Sequence, residues 1–148
     1  MSVVRVILAM AGAAAMVAGS FLNWSTFSLG GGDGVQAIWL PGRSLYRHAI
    51  VDSRNPWSWL TSPGMVMLLL AAVTVLGLVI RRGWLTSLSG ALGLTTTVLV
   101  AIQIQGANFG SLPGIPETIG VGLWVSAAGS VTTLIAGLLP QRAASPEA

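Results

Sequence analysis

Residues 63–80 are PGMVMLLLAAVTVLGLVI and residues 84–104 are WLTSLSGALGLTTTVLVAIQI, with only Arg81, Arg82 and Gly83 between them. Neither stretch contains a charged side chain. Each is close to the ~20 residues that an α-helix, rising ~1.5 Å per residue, needs to cross ~30 Å of hydrocarbon. The pair therefore predicts two membrane-spanning helices joined by a very short turn.

Two further apolar stretches extend this pattern along the chain. The first predicted span covers residues 3–22 and the last covers residues 118–139. We therefore predict an all-α membrane protein, a bundle of four transmembrane helices forming one domain over residues 1–142. The polar tail at residues 143–148 is predicted to be disordered. The first stretch also suits a cleavable signal peptide, but its apolar run is long enough to span, which favours retention.

The composition excludes a soluble protein. The mean hydropathy is +0.80 and 7% of the residues are charged, whereas soluble domains carry about 25% charged residues. All seven basic residues are arginine, a bias typical of high-GC bacteria, so we expect a bacterial plasma membrane. The lack of cysteine excludes disulfides and thiolate metal sites. Because the net positive charge comes from arginines beside the spans, we expect membrane lipids as partners and no nucleic acid.

The arginines also predict the orientation of the chain. Short cytoplasmic loops carry an excess of Lys and Arg, and Arg81 and Arg82 lie in the shortest predicted turn. With an even number of spans, both termini are then cytoplasmic, together with Arg5 and Arg142. The segment at residues 23–62 becomes a long first extracytoplasmic loop.

This first loop is too rich in aromatic residues for a flexible linker. Residues 24–28 (WSTFS) and 35–40 (VQAIWL) flank a glycine-rich stretch, which predicts a small β-hairpin. Residues 44–51 (SLYRHAIV) are predicted to form a short helix. Asn55 and Ser62 are each followed by proline, so the second helix is expected to begin after one of them.

Small residues at a spacing of four line three of the predicted spans. In lipid, small side chains let helix backbones approach closely. We therefore predict helix packing within the bundle, with an interface to another membrane protein as the alternative. The positions are Ala11, Ala15 and Gly19 in the first span, Ser89, Gly93 and Thr97 in the third, and Gly129, Thr133 and Gly137 in the fourth.

The first loop also carries the candidate binding surface, which consists of Trp39, Tyr46, Arg43 and Arg47. Trp, Tyr and Arg are the residue types that dominate protein-interface hot spots. We predict a partner interface here, with packing inside the loop and binding of lipid headgroups as alternatives. An aromatic belt at the membrane surface explains the remaining tryptophans, which are Trp24, Trp57, Trp59, Trp84 and Trp124.

The sequence shows no catalytic, metal-binding or cofactor-binding signature. The single histidine, His48, precedes Asp52 by four residues, but no cysteine exists and no serine lies in a nucleophile-elbow context. The apolar stretches contain no Asp, Glu or His. Ion-coupled transporters place such residues inside the membrane, so the sequence argues against an ion-coupled transporter or pump acting alone. We therefore predict no enzymatic activity, no cofactor and no metal site.

The layout resembles that of claudin-type tetraspan proteins. The resemblance lies in Asn23 and Trp24 directly after the first span, a glycine-rich hairpin ending near Trp39, and three further spans. The chain is also similar to small four-span membrane proteins of actinobacteria, which include an accessory subunit of the mammalian-cell-entry lipid importers. The paired loop cysteines of claudins are missing, so the resemblance does not imply a paracellular barrier. It implies the role of a bound subunit, and lipid transport as the process.

These observations predict a non-enzymatic accessory or assembly subunit of a larger bacterial cell-envelope complex. Its partners would be subunits of an integral membrane complex and membrane lipids, contacted through the outer loop and one lipid-facing helix. The alternative is a stand-alone small membrane protein that binds lipid or solute between the helices and the outer loop.

Overall fold

The computed structural model of the protein describes residues 2–27, 33–36, 62–108 and 117–139. These residues are mostly helical, as predicted, and contain four helices and three short strands. The helices are α1 (Val3–Phe21), α2 (Pro63–Val79), α3 (Gly83–Asn108) and α4 (Val121–Leu138). The strands are β1 (Asn23–Phe27), β2 (Asp33–Gln36) and β3 (Glu117–Ile119).

Three of the described helices, α1, α3 and α4, are long and apolar enough to cross a membrane. This agrees with a membrane protein. The helix α2 is apolar but has 17 residues, or ~26 Å at ~1.5 Å per residue, slightly less than the hydrocarbon thickness. A fourth span at residues 63–80 therefore stays a prediction.

The start of α2 follows from its first two residues. The side-chain oxygen of Ser62 accepts a hydrogen bond from the backbone N–H of Met65 at 3.2 Å, which satisfies one of the free donors at a helix N-terminus. Pro63 occupies the first helical position, where its missing N–H costs nothing. Of the two predicted starts, α2 thus uses Ser62.

The prediction that the fourth helix begins at residue 118 is wrong by three residues. Glu117–Ile119 form β3, which pairs antiparallel with β1, and α4 begins at Val121. The β-branched residues Thr118 and Ile119 suit a strand, and the free edge of β1 supplies their backbone partners. Because they adjoin an apolar run, the sequence pattern alone merges them with the helix.

The three strands form one sheet in the order β2-β1-β3. Strands β1 and β2 are antiparallel, with Phe27 opposite Asp33 and Thr26 opposite Gly34. They lie in the region of the predicted hairpin, although β2 begins two residues before the predicted 35–40, of which residues 37–40 lie outside the described residues. The predicted short helix at residues 44–51 lies outside the described residues.

The turn between α2 and α3 has a compact hydrogen-bonded form. The N–H of Arg82 bonds to the oxygen of Gly77 at 2.9 Å, and the N–H of Arg81 bonds to that of Leu78 at 3.1 Å. Arg81 has a φ of 56°, in the left-handed region where such helix ends usually place glycine. The backbone of the turn is therefore closed by two hydrogen bonds directly before Gly83 opens α3.

The four helices form a closed ring. Each packs against the next along the chain, and α1 also packs against α4. The contacts of α4 with α1 and with α3 are the most extensive. Its backbone approaches theirs closely: a methyl group built on Gly129 would lie 2.8 Å from the carbonyl oxygen of Gly12.

Burial in the bundle is inverted relative to a soluble protein. The buried positions include many Ser, Thr, Gly and Ala residues, whereas large apolar side chains on all four helices are exposed. In water such exposed surfaces drive association; in lipid they face a solvent as apolar as themselves. The most exposed examples are Val3, Val79, Val121, Trp124 and Leu138.

Candidate functional site

The predicted partner surface, Trp39, Tyr46, Arg43 and Arg47, lies outside the described residues, and it stays a prediction. What the structure does describe are the helix seams and both ends of the bundle. We call one end the tryptophan end (Trp24, Gly120, Gly122). We call the other the arginine end (Arg5, Arg81, Arg82, Gly83, Gly137).

The seam between α1 and α4 uses small residues, but one expected position is displaced. Gly19 is buried, and a methyl group there would lie 2.9 Å from the carbonyl oxygen of Gly122. Ala15 is half-buried beside Gly129. Ala11 is exposed, however, and the buried neighbour is Gly12, because the buried stripe of a helix advances by three as well as by four residues.

The predicted small positions in α4 lie against α1 or α3. Thr133 is fully buried, and its hydroxyl donates to the sulfur of Met16 at 3.8 Å. Gly137 lies against Ser87, and Gly129 against Gly12. The helices α1 and α3 therefore both pack on α4 through small residues, with Met16 as a large buried side chain in the seam.

In α3, Gly93 is buried against Ser130 and Met16. The hydroxyl of Thr97 bonds to the carbonyl of Leu94 in its own helix at 2.8 Å. Ser89 is fully buried and makes a contact of 2.7 Å with the hydroxyl of Thr74 in α2. The hydroxyl of Thr97 is therefore hydrogen-bonded within its own helix, whereas that of Ser89 links α3 to α2.

The hydroxyls of Thr74 and Ser89 have fewer protons than the hydrogen bonds that their positions allow. Thr74 is placed to donate to Leu70 at 2.9 Å and Ser89 to Thr86 at 2.9 Å, in addition to their mutual contact. Two hydroxyl protons cannot fill three donor roles. One hydroxyl therefore donates across the seam and gives up the bond within its own helix.

Trp24 closes the tryptophan end, where the sequence predicted an aromatic anchor at the membrane surface. That prediction is wrong: the side chain is 0% exposed and belongs to the core with Met16, Met67 and Leu123. Its indole N–H donates to the carbonyl oxygen of Gly19 at 2.8 Å. Burial is possible because the N–H has a partner. Trp84 and Trp124, by contrast, are exposed as expected of belt residues.

Trp24 also fastens the sheet to the bundle. Its carbonyl oxygen accepts from the N–H of Gly120 at 2.8 Å, directly before α4. A methyl group on Gly122 would lie 2.7 Å from the indole ring. The start of β1 and the end of β3 are therefore held against the first turn of α4.

The arginine end contains a buried charge. Arg5, in the first turn of α1, is 1% exposed, while its neighbours Val3 and Val4 are 71% and 59% exposed. Its Nε and Nη2 atoms have no hydrogen-bond partner. Burial of a charged group without a partner is costly, so this guanidinium is the least satisfied group among the described residues.

A shallow cavity of about 480 Å³ opens at the same end. It is lined by Arg81, Arg82, Gly83, Trp84 and Gly137. A methyl group on Gly83 would lie 2.5 Å from Nη2 of Arg5 and 3.1 Å from its Cζ. The guanidinium of Arg5 therefore lies against Gly83, one of the residues that line the cavity.

Sequence reasoning placed Arg5 beside the membrane and missed its burial. A signal was present, since Arg5, Ala9, Gly12, Met16 and Gly19 follow one another in steps of four and three residues. These steps define one helix face, and all five are buried. Within the described residues no cluster of three or more potential metal ligands occurs.

A scan against protein-family models finds no match, and searches of curated proteins and of solved structures find no similar protein.

Proposed function

We propose that this chain is a non-enzymatic accessory or assembly subunit of a larger complex in a bacterial plasma membrane. In this proposal all four helices cross the membrane and both termini are cytoplasmic, which puts the arginine end inside and the tryptophan end outside. The exposed apolar faces of the helices support the membrane assignment, and Arg81 and Arg82 in the short turn support the orientation.

One observation carries the proposal of a partner surface: the sheet is fastened to the bundle through Trp24 and Gly120. Strand β2 pairs with β1, so the segment with Trp39, Arg43, Tyr46 and Arg47 starts from a fixed position. A recognition surface gains affinity when its scaffold is rigid, because less conformational entropy is lost on binding. The outer face thus offers a preorganised base for a loop rich in hot-spot residue types.

The helix seams support the same role. They are filled by glycine–backbone contacts and by hydroxyls bonded within the bundle, such as Thr133 with Met16. This close packing favours action through surfaces over passage of a solute between the helices. The claudin-like layout and the lipid importers that it suggests make a lipid-transport complex the first candidate assembly.

Affinity purification of the tagged chain from native membranes in a mild detergent tests this proposal. Large membrane proteins in a fixed ratio to the chain would support an accessory subunit. A solitary 15.2 kDa chain with co-purified lipid would contradict it and support the alternative, a stand-alone protein that binds lipid or solute beneath the outer loop.

A further inference from the structure

We propose that the arginine end of the bundle is a binding site for a phosphate-bearing anion, formed by Arg81 and Arg82 at the cavity and by the guanidinium of Arg5, which lies against Gly83. This inference goes beyond the proposed function, rests on its placement of the helices in a membrane, and concerns the opposite end from the predicted partner surface. The ligand chemistry is a phosphate or phosphoester group. Its two possible sources are a phospholipid headgroup and soluble phosphate.

The first argument is the state of Arg5 itself. The helix α1 exposes Val3 and Val4 and turns Arg5 inward, the reverse of what solvation alone would favour. Two guanidinium nitrogens are left without partners. A phosphate oxygen pair matches the fork of a guanidinium, and such charge-assisted bonds are among the strongest in proteins.

The second argument is the charge around the cavity. Arg81 and Arg82 line it, and so do Gly83 and Trp84 at the N-terminus of α3. The first N–H groups of a helix point out of its end and favour anions. The described acidic residues lie in strands β2 and β3, at the other end of the bundle.

The third argument concerns the source of the phosphate. The side chains of Trp84, which lines the cavity, and of Leu138, next to Gly137 in sequence, are 58% and 69% exposed, and Val3 and Val4 near Arg5 in α1 are exposed as well. Large exposed apolar side chains and the basic cavity thus occur at the same end of the bundle. Basic pockets between transmembrane helices bind anionic headgroups in this way, and tryptophan favours the headgroup level. The geometry therefore favours an anionic phospholipid.

The test uses the full chain in detergent and native mass spectrometry. Phosphatidylglycerol and phosphatidylcholine with the same acyl chains are titrated separately, and inorganic phosphate is added as a competitor and in thermal melts. The variants are Arg5→Gln and Arg82→Gln. The matched control is Arg54→Gln, which removes the same charge from the segment between β2 and α2.

We expect saturable binding of phosphatidylglycerol, at least about tenfold tighter than that of phosphatidylcholine, because both lipids carry the phosphodiester but the arginines repel the choline cation of phosphatidylcholine. Arg5→Gln should abolish this preference and Arg54→Gln should keep it. Phosphate that raises the melting temperature in an Arg5-dependent manner and displaces the lipid would support the same site with soluble phosphate as its source.

Retention of the lipid preference in Arg5→Gln would overturn the proposal, as would a lack of Arg5-dependent binding of either probe. A protein partner lost on Arg5→Gln while lipid binding is unchanged would also overturn it, in favour of a carboxylate from another chain. If Arg5→Gln does not fold, Arg82→Gln decides: weaker lipid binding supports the site, and unchanged binding refutes it.

Discussion

The indole N–H of Trp24 donates to the carbonyl oxygen of Gly19 at a distance of 2.8 Å. This bond folds the chain back onto the last turn of α1 directly after the helix ends. It lets a tryptophan that follows the helix enter the core, and brings the Trp24 carbonyl within 2.8 Å of the N–H of Gly120. The connection that follows α1 and the connection that precedes α4 are therefore hydrogen-bonded to each other at this point.

Replacing Trp24 should therefore destabilise the isolated protein. Trp24→Phe loses one hydrogen bond and part of a buried ring, and we expect a loss of about 1–3 kcal/mol. The Gly19 oxygen keeps a bond from the N–H of Leu22 at 3.2 Å, which limits the cost. Unfolding in detergent measures the change. The control Trp124→Phe, at a site 64% exposed, should cost less than about 0.5 kcal/mol; equal costs would contradict this role of Trp24.

The seam between α3 and α4 predicts different costs at two glycines. A methyl group on Gly90 would lie 2.7 Å from the Cα of Leu134, which is backbone and cannot yield easily. On Gly93 it would meet the ends of side chains, Ser130 at 2.5 Å and Met16 at 3.1 Å. Gly90→Ala should cost about 1–3 kcal/mol of unfolding free energy, and Gly93→Ala less. The reverse order in detergent melts would show that the seam is packed differently.

The hydroxyl pair Thr74 and Ser89 should show coupling between α2 and α3. In a double-mutant cycle of Thr74→Val and Ser89→Ala, we expect an interaction energy of ~0.6 kcal/mol, and at most ~1.7, as found for hydrogen bonds between membrane helices. Thr96→Val is the control, because its hydroxyl bonds to Leu92 in its own helix at 2.9 Å. It should show no coupling to Ser89→Ala.

The proposed orientation can be tested by thiol labelling in intact cells. Because Gly83 is buried against Arg5, the reporter cysteine is better placed at the exposed Arg82, with Arg5 and Arg81 left to hold the topology. Arg82→Cys should be protected from impermeant reagents, and Gly32→Cys should be labelled. Labelling in the opposite sense would refute cytoplasmic termini.

The predicted partner surface has its own test. If Trp39 and Arg47 face a partner, replacing both with alanine should leave the melting temperature unchanged and release the chain from its complex. If they form a core within the loop, the same pair should lower the melting temperature and expose the loop to protease. Retained partners together with a protease-sensitive loop would reject the interface. Trp124→Ala, at an exposed position of α4, is a control for loss of an exposed tryptophan.

The helices were predictable from sequence because each is a continuous apolar run, although the predicted start of α4 was wrong. The arginine pair at 81–82 marks the end of α2, whereas the sequence left its start open between Asn55 and Ser62, and the structure uses Ser62. Strand β3 was not predictable, because three residues acquire strand geometry only when β1 provides an edge. In α1 the sequence predicted Ala11 as a packing position, but the buried residue is its neighbour Gly12. Both residues are small, so the residue type alone does not show which of them faces α4.

The sequence by itself determined that the chain is helical and apolar, where the described helices lie, and which residue types are available for packing. Only the tertiary structure decided that Trp24 is a core residue and that Arg5 is buried beside Gly83. The physical reason is that apolar periodicity reports how a segment partitions between water and lipid, a property of the segment alone. Whether one indole or one guanidinium is buried depends on the carbonyls, glycines and helix ends that other segments bring to it.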